Sequence, residues 1–227
     1  MNQLNHIFVI PDGNRRWADM RNMSYSILYK YIAENVTTNL VEHVLINKKI
    51  PELTIFGLSR KNVLDRDQKQ VESICDAQIT AYDKWANNGI FENAEIRFRF
   101  IGDRSILPNN YKQKIQELEE KTKNAKKSKC NILVAYDSMW EISNAIRRIQ
   151  KEKKTVDEKT LWDYLDLQSE IDLVIRTGFE KRLSGGPMLQ SQQAEVFFED
   201  YYYPELTPER MDRIIEDYQK RERRFGK

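Results

Sequence analysis

A short segment near the amino terminus places an acid, a glycine, an amide and two arginines directly after an apolar run. Residues 10–17 read Ile-Pro-Asp-Gly-Asn-Arg-Arg-Trp, and the apolar run occupies residues 6–11. A strand end that exposes a carboxylate and backbone N–H groups to an incoming helix can hold a metal-bound phosphate. The segment therefore predicts oxyanion chemistry at Asp12.

A second group of oxyanion-binding residue types follows the apolar run at 171–176. Arg176 opens an Arg-Thr-Gly turn, Arg182 follows six residues later, and Ser184 comes two residues after that. Forked guanidinium donors and a hydroxyl can surround a diphosphate. A set of surface salt bridges is the simpler interpretation, but these residue types converge after one strand instead of scattering over helix faces.

Two acids accompany these arginines. Asp12 follows the first apolar run, and Glu195 stands at the start of the last one. Hard oxygen ligands of this kind suit Mg²⁺, which prefers a few carboxylates together with substrate phosphates over a closed protein cage. The sequence therefore predicts Mg²⁺ as the cofactor.

Several common kinds of site lack their sequence support. No GxGxxG follows the first apolar run and no GxxxxGK[ST] occurs, which disfavours dinucleotide and P-loop nucleotide sites. No nucleophile with a plausible base follows any apolar run, which disfavours acyl transfer. The two histidines, His6 and His43, are interpreted as structural.

Composition limits the partners and the compartment. The 37 basic and 35 acidic residues give a formal net charge of +2, too weak a field to indicate nucleic acid or a membrane surface. Cys75 and Cys130 lie far apart and lack metal-ligand spacing, which favours a reducing compartment. No apolar run approaches the ~18 residues that span a bilayer. We expect a cytoplasmic protein with no transmembrane segment and no nucleic-acid partner.

Apolar, β-branched runs alternate with helical patterns along the whole chain. The six runs that predict strands occupy residues 6–11, 53–58, 95–101, 130–136, 171–176 and 194–198. Alternation of this kind implies βαβ units, so we predict an α/β fold with one domain over 1–227 and a mostly parallel six-stranded sheet flanked by helices. In such sheets ligands bind beyond the carboxyl ends of the strands.

Over its whole length the chain resembles the cis-prenyltransferases, the family that includes undecaprenyl diphosphate synthase. The segments that carry the resemblance are IPDGNRRWA, LTIFGLSRKN, FRFIGD, LVAYDSMWEISNAIR, DLVIRTGFEKRLS, AEVFFEDYYYPEL and RERRFG. The resemblance implies a Mg²⁺-dependent prenyltransferase of the same fold. Its implied reaction is cis head-to-tail condensation of an allylic diphosphate with a C5 isoprenoid diphosphate, with release of diphosphate.

The resemblance also implies roles for individual residues. Asp12 would hold Mg²⁺ on the allylic diphosphate, with Glu195 as the second acid at the metal, and the turn at 13–16 would cradle that diphosphate. The implied catalytic residues are Asp12, Asn14 and Asn62. The implied substrate-binding residues are Gly13, Arg15, Arg16, Trp17, Tyr25, Tyr29, Ser59, Arg176, Arg182, Ser184, Arg224 and Gly226. The base that takes the proton remains open between an Asn14-assisted group, Asp12 and a diphosphate oxygen.

Two further expectations follow from the resemblance. Arg224 and Gly226 match the family's terminal Arg-x-Gly, which reaches across a dimer interface, so a homodimer is implied. An apolar tunnel for the growing chain would lie between the sheet and two long helices, consistent with Gly57 and the helix face of Leu28, Ile32 and Val36.

Four departures from the family pattern fall in the allylic half of the site. Tyr25 and Tyr29 stand where the family usually has an arginine and a histidine. After the second strand, Val63 replaces a tryptophan and an arginine is displaced by one position. Phenols in place of guanidinium and imidazole remove charge-assisted donors, and the cations available to compensate are Arg60, Lys61 and Arg66.

Three alternative functions remain open. Tyrosine at the histidine position, the Ser-Gly-Gly-Pro at 184–187 and the closing RERRFG resemble the branch that makes irregular monoterpenes such as lavandulyl and cyclolavandulyl diphosphate, which couples dimethylallyl diphosphate units head to middle. A catalytically silent partner subunit of a heteromeric prenyltransferase is a second alternative, disfavoured because the acids and arginines of both motifs are retained. An unrelated phosphate-binding α/β domain is the third.

Overall fold

A six-stranded sheet forms the centre of the protein, and all neighbouring strands run parallel. The computed structural model describes residues 3–87 and 89–221. The strands are β1 (His6–Ile10), β2 (Glu52–Ser59), β3 (Ile96–Ile101), β4 (Ser128–Tyr136), β5 (Leu173–Arg176) and β6 (Glu195–Phe198). They lie in the order β3-β4-β2-β1-β5-β6. The predicted α/β fold with a six-stranded parallel sheet flanked by helices is confirmed.

Helices connect the strands and flank the sheet. They are α1 (Asn14–Asp19), α2 (Tyr25–Tyr31), α3 (Thr38–Val41), α4 (Arg60–Asp65), α5 (Gln68–Asn87), α6 (Ile90–Asn93), α7 (Asn109–Thr122), α8 (Ser138–Lys151), α9 (Glu158–Tyr164) and α10 (Pro208–Lys220). Turns of π-helix at Ile32–Thr37 and Glu42–Asn47 extend α2 and α3 into one long helical segment. None of the described helices has both the length and the apolar character needed to cross a membrane.

The π-helical turns match the spacing of apolar residues in the long helical segment. Leu28, Val36 and Val44 recur at intervals of eight residues and are buried. Because an α-helix has 3.6 residues per turn, a stripe repeated every four residues drifts around its axis. Wider π turns reduce that drift. The segment therefore keeps one apolar face towards the sheet, where it contacts β2 and β4.

The sheet is covered on both faces, which explains the continuous apolar character of β1. Ile7 and Val9 belong to the larger core, which α2, α5, α7 and α10 complete. Phe8 and Ile10 point to the opposite face and belong to a smaller core. Alternate residues of one strand are thus buried on both sides, as in parallel sheets generally.

The side of the sheet on which successive strands are added changes at β1, although all strands remain parallel. From β1 the chain passes to β2 on one side, whereas β5 joins β1 on the other side. Parallel α/β sheets open a crevice at such a change of side, beyond the carboxyl ends of the strands. Asp12 follows β1 and Thr177 follows β5, so both arginine-bearing segments predicted from sequence meet at this crevice.

Candidate active site

The Asp12 carboxylate lies at the centre of the crevice. Its Oδ2 accepts a hydrogen bond from Arg176 Nη2 at 2.6 Å. Its Oδ1 accepts from the backbone N–H of Gly13 at 2.6 Å and from Arg16 Nη2 at 3.4 Å. The side chain is 31% exposed and lines a large cavity. Two guanidinium groups therefore orient an acid that a ligand can still reach.

The turn after β5 fixes the backbone around Asp12. The Thr177 hydroxyl accepts from the Asp12 backbone N–H at 3.0 Å and donates to the Asp12 carbonyl oxygen at 3.1 Å. That carbonyl also accepts from the Tyr203 backbone N–H at 3.0 Å. The Asp12 main chain is thus held by residues more than 160 positions away, which limits movement of the carboxylate.

Arg176 joins the two predicted halves of the site. Its side chain is only 3% exposed, and besides Asp12 it contacts Ser184 Oγ at 2.7 Å and the backbone carbonyl of Arg182. Most of its Nη donors are therefore already used within the protein. Its main contribution in this geometry is to orient Asp12 and the segment at 182–184 towards each other.

The segment after Arg176 carries the second group of predicted anion-binding residues. The Arg182 side chain is 61% exposed and pairs with Glu180, an acid of the same motif that the sequence prediction did not include. Glu180 also lies 3.8 Å from Arg16 Nη1. Arg182, Ser184 and Glu180 all line the same cavity as Asp12.

One cavity of about 930 Å³ connects a charged mouth with an apolar interior. The predicted residues at its mouth are Asp12, Gly13, Asn14, Arg15, Arg16, Ser59, Asn62, Arg176, Arg182 and Ser184. Its interior is lined mainly by Ile32, Ala33, Ile55, Gly57, Leu58, Ile74, Ala81, Tyr82, Trp85 and Ile132. A cavity with these two ends suits an amphipathic ligand that has an anionic head and a hydrocarbon tail.

Two buried polar atoms at the cavity, Oδ1 of Asn14 and Nε of Arg176, have no hydrogen-bond partner among the described residues. The buried hydroxyl of Tyr29 lies beside the Arg66 guanidinium group. Buried polar atoms in native proteins are nearly always paired. The Asn14 and Arg176 atoms are therefore available to a bound ligand or ion, and both residues are among the predicted site residues.

The turn after β2 brings Ser59 and Asn62 to the mouth. Ser59 Oγ accepts from the backbone N–H of Asn62 at 3.0 Å and so caps the first turn of α4. This cap fixes the start of the helix at the edge of the cavity.

The sequence offered three cations, Arg60, Lys61 and Arg66, as replacements for the missing charge-assisted donors. The structure places them in two different positions. Lys61 and Arg66 line the cavity, whereas Arg60 does not. Arg60 Nε instead lies 3.3 Å from Asp103 Oδ2 in a neighbouring surface groove. Arg60 therefore lies outside the main cavity.

Trp17 and Tyr25, which were predicted to bind substrate, lie away from the cavity wall. Trp17 is buried in the core, where its ring stacks on Tyr31 with centroids 5.8 Å apart. Tyr25 is the first residue of α2, and its hydroxyl donates to Asp19 Oδ1 at 2.9 Å. Neither of these two described side chains lines the cavity.

The predicted pairing of Asp12 with Glu195 at one metal does not occur within the chain. Glu195 is the first residue of β6 and lies opposite Leu173, which in turn lies opposite Ile7 of β1. Asp12 comes five residues after Ile7, so the two acids are separated by roughly 16 Å along the strands. Glu195 Oε2 instead accepts from Arg221 Nη1 at 2.7 Å. Across residues 3–87 and 89–221, no group of three or more His, Cys, Asp or Glu side chains could hold a metal ion.

A cavity lies where the tunnel was predicted, but only part of the predicted lining contacts it. Ile32 and Gly57 line the cavity, whereas Leu28 and Val36 are packed in the core. Sequence analysis named none of the tunnel residues of α5, which are Ile74, Gln78, Ala81, Tyr82 and Trp85. These residues fall at positions i, i+4, i+7, i+8 and i+11, which lie on one helix face, and this periodicity was the available signal.

Arg224 and Gly226 lie outside the described residues, so the structure places neither of them.

Comparisons with known proteins agree with this geometry. The profile of the undecaprenyl diphosphate synthase family matches residues 10–226. An isoprenyl transferase of Campylobacter jejuni (strain RM1221) is 33% identical over 227 residues, covering all of both chains. The crystal structure of a probable undecaprenyl diphosphate synthase from Campylobacter jejuni superposes with a TM-score of 0.83 at 31% identity, again over all of both chains. The crystal structure of lavandulyl diphosphate synthase from Lavandula x intermedia, in complex with dimethylallyl diphosphate, superposes with a TM-score of 0.86 at 26% identity over 98% of each chain.

Proposed function

The chain belongs to the undecaprenyl diphosphate synthase family and is a prenyltransferase, and from this premise we propose that it joins an allylic diphosphate to a C5 isoprenoid diphosphate by cis head-to-tail elongation. The observation that carries the proposal is the cavity with its charged mouth and apolar interior. A diphosphate satisfies the arginines at the mouth, and a prenyl chain buries its apolar surface against the interior. Inorganic diphosphate is the second product.

The donor's diphosphate would lie at the turn that follows β1. Asp12, Asn14 and Arg16 line the mouth at this turn, and the Asn14 Oδ1 atom has no partner among the described residues. As the carbon–oxygen bond of the donor breaks, negative charge grows on the departing diphosphate, and the nearby guanidinium group stabilises it. The prenyl chain would extend between the sheet and helices α2 and α5.

The C5 acceptor would lie beside the donor, with its diphosphate at Arg182 and Ser184. Its alkene attacks the allylic carbon as the carbon–oxygen bond breaks, a new carbon–carbon bond forms, and one proton leaves the resulting cation. The protein forms no covalent bond, so its contribution is to position two reactants and to stabilise charge. Asp12, an Asn14-assisted group and a diphosphate oxygen remain the candidate bases.

The residues at the mouth fit a Mg²⁺ ion held jointly with substrate. Mg²⁺ needs only one or two carboxylates when substrate phosphates and water complete its coordination. Asp12 provides one reachable carboxylate, and the Asn14 Oδ1 atom is a nearby oxygen without a partner among the described residues. We propose Asp12 as the protein ligand. When bound, Mg²⁺ supplies Lewis-acid neutralisation of the departing diphosphate.

The proposed reaction is tested by incubating the purified protein with dimethylallyl diphosphate alone and with isopentenyl diphosphate added. Each mixture is prepared with Mg²⁺ and with EDTA, and both diphosphate release and the products are measured. We expect release and a linear product only when both substrates and Mg²⁺ are present. If no donor gives any release but the protein stimulates a second prenyltransferase subunit, the silent-subunit alternative is correct.

Irregular coupling of two dimethylallyl diphosphate molecules is the second candidate function. It is favoured by the similarity to lavandulyl diphosphate synthase and by Tyr29, which lines the cavity at the position where the family usually has a histidine. A branched product from dimethylallyl diphosphate alone would establish this function over chain elongation.

A homodimer is proposed on the family resemblance of Arg224 and Gly226. Light scattering of the purified protein tests it, and a monomer at assay concentration would contradict it.

Trp85 is expected to limit the length of the product. Its indole lines the main cavity and also a second cavity of about 210 Å³ behind it. A hydrogen bond of 2.9 Å from Nε1 to Thr38 Oγ1 holds the ring in this position. Replacement of Trp85 by leucine should connect the two cavities, and we expect products at least one C5 unit longer, measured by mass spectrometry.

Phe91 provides the matched control for Trp85. It packs against the Trp85 ring with centroids 5.7 Å apart and lines only the smaller cavity. Phe91→Leu enlarges that cavity without opening the wall, so its products should keep the wild-type length. Unchanged products from a folded Trp85→Leu protein would contradict the role of Trp85.

A further inference from the structure

Phe179 holds a backbone conformation that is unfavourable for a bulky residue. Its φ is +66°, in the left-handed region, and it directly follows Gly178, which has φ +89°. A residue with a Cβ meets steric strain in this region, and such strain persists only where the surrounding structure enforces it. The Phe179 side chain is also 50% exposed, so burial of apolar surface offsets little of this strain. Packing in the core therefore does not account for this conformation.

Backbone hydrogen bonds enforce the conformation of Phe179. Its N–H donates to the Glu199 carbonyl at 3.4 Å, and the preceding Gly178 N–H donates to the Tyr201 carbonyl at 2.7 Å. Both acceptors belong to the segment that follows β6, so this segment holds the turn after β5. As a result the Phe179 ring meets the Tyr202 ring edge to face, with centroids 5.1 Å apart and ring planes at 67°.

Tyr202 in turn packs against the turn that carries Asp12. Its ring lies so close to Gly13 that a Cβ on that residue would overlap it. The guanidinium carbon of Arg16 lies 5.6 Å from the centroid of the same ring, and Arg16 Nη2 donates to Asp12 Oδ1 at 3.4 Å. The Tyr202 ring therefore limits movement of both the backbone and the arginine next to Asp12.

We propose that Phe179 is a positioning residue that acts through Tyr202 to hold the turn after β1 in place for catalysis. The inference rests on the proposed function and deepens it. Neither of these two described side chains lines the main cavity, so neither contacts a ligand bound there. They determine instead where Asp12 and Arg16 lie relative to the departing diphosphate, and the backbone strain at Phe179 accompanies the placement of an aromatic ring at this point.

The test compares Phe179→Gly with Phe179→Tyr. Glycine removes the ring but adopts the left-handed backbone without strain, whereas tyrosine keeps both the ring and the strain. The turnover number and the Michaelis constants of both substrates are measured for each variant, together with thermal unfolding. Amide hydrogen exchange of peptides that cover residues 11–18 reports movement of the turn directly and needs no substrate.

Lys153→Gly is the matched control for the relief of strain. Lys153 has φ +56° in the exposed turn after α8 and does not line the main cavity. Glycine there relieves the same kind of backbone strain without removing a side chain that packs against Tyr202. We expect this variant to keep wild-type turnover and wild-type hydrogen exchange of residues 11–18.

We expect Phe179→Gly to lower the turnover number on the order of 10-fold, because displacement of reacting groups slows the reaction without removing a substrate contact. Both Michaelis constants should stay within about threefold of the wild type. Hydrogen exchange of residues 11–18 should become faster. The midpoint of thermal unfolding should stay within about 3 °C of the wild type, since relief of strain offsets loss of the ring contact. Phe179→Tyr should keep wild-type values.

A double-mutant cycle with Tyr202→Leu tests whether Phe179 acts through Tyr202. Tyr202→Leu alone should also lower the turnover number. Adding Phe179→Gly to it should have little further effect, because residues that act as one unit are not additive.

The proposal is overturned if folded Phe179→Gly keeps the wild-type turnover number, or if Phe179→Tyr or Lys153→Gly shows the same loss. It is also overturned if the effects of Phe179→Gly and Tyr202→Leu are additive. Lower thermal stability and faster exchange along the whole chain in Phe179→Gly would indicate a purely structural role and would overturn it as well.

Failure of the proposed function has a different signature. Wild-type protein would then give no turnover with any allylic donor, while the hydrogen exchange of residues 11–18 in the variants would still test whether Phe179 holds the turn after β1.

Discussion

Replacement of Asp12 by asparagine is expected to lower turnover on the order of 10³-fold, because a neutral amide can neither hold a metal-bound diphosphate nor balance the two guanidinium groups that face it. The carboxylate accepts from Arg176 at 2.6 Å and from Arg16 at 3.4 Å. Asparagine has nearly the same shape, so the fold should survive. Weakening the hydrogen bond to the buried Arg176 should cost about 1–3 kcal/mol of unfolding free energy, because Asp12 is partly exposed and the pair is not fully buried. Diphosphate release and thermal unfolding measure the two effects.

Asp103 is the matched control for Asp12. It also follows a strand of the sheet and also pairs with an arginine, Arg60 at 3.3 Å, but it does not line the main cavity. Asp103→Asn should retain nearly all wild-type turnover. Equal losses in the two variants would indicate a general effect of charge at this edge of the sheet, and full activity of Asp12→Asn would exclude the proposed role of Asp12.

The sheet could be predicted from sequence because its strands are buried on both faces. Such strands appear as continuous β-branched runs, and the alternation of these runs with helical patterns is enough to imply parallel pairing. The crevice could be predicted for the same reason. In a parallel sheet all strands end at one edge, so the residues that follow β1 and β5 had to lie near each other.

The position of Glu195 could also have been predicted from the parallel pairing of the strands. It is the first residue of β6, and in a parallel sheet the first residue of a strand lies at the edge opposite to the last. Asp12 follows the end of β1, so a shared metal within one chain conflicts with parallel pairing itself. The family resemblance implied that Asp12 and Glu195 are close, but the direction of the strands places them at opposite edges of the sheet.

The lining of the cavity could not be predicted residue by residue. Ile32 lines the cavity, while Leu28 and Val36, four residues before and after it, are packed in the core. All three are apolar and belong to the same stripe, so only the packing of α5 against the long helical segment distinguishes them. Arg60 and Arg66 are likewise both basic residues of the same short segment, but Arg60 pairs with Asp103 whereas Arg66 lines the cavity. Sequence alone does not distinguish them.

Replacement of Gly13 by alanine is expected to reduce turnover on the order of 100-fold or more. Gly13 has φ +87°, a left-handed conformation that costs a residue with a Cβ on the order of 1 kcal/mol or more. A Cβ at this position would also lie closer than 3.0 Å to the Tyr202 ring and 3.2 Å from the Gly178 Cα. Relief of this clash must move the turn that carries Asp12 and Asn14, and displacement of reacting groups by about 1 Å can cost 100-fold.

The Gly89→Ala variant is the control that distinguishes displacement of the Asp12 turn from the effect of backbone strain alone. It has φ +72° at the start of α6, so alanine there meets similar strain, but the nearest atom to the added Cβ is Asn93 Nδ2 at 3.8 Å. Gly89→Ala should therefore lose stability, measured by thermal unfolding, and keep wild-type turnover. If Gly13→Ala behaved in the same way, the turn after β1 would tolerate movement, and activity would not depend on the close packing of this turn against Tyr202. A loss of turnover confined to Gly13→Ala would instead tie catalysis to the position of the Asp12 turn.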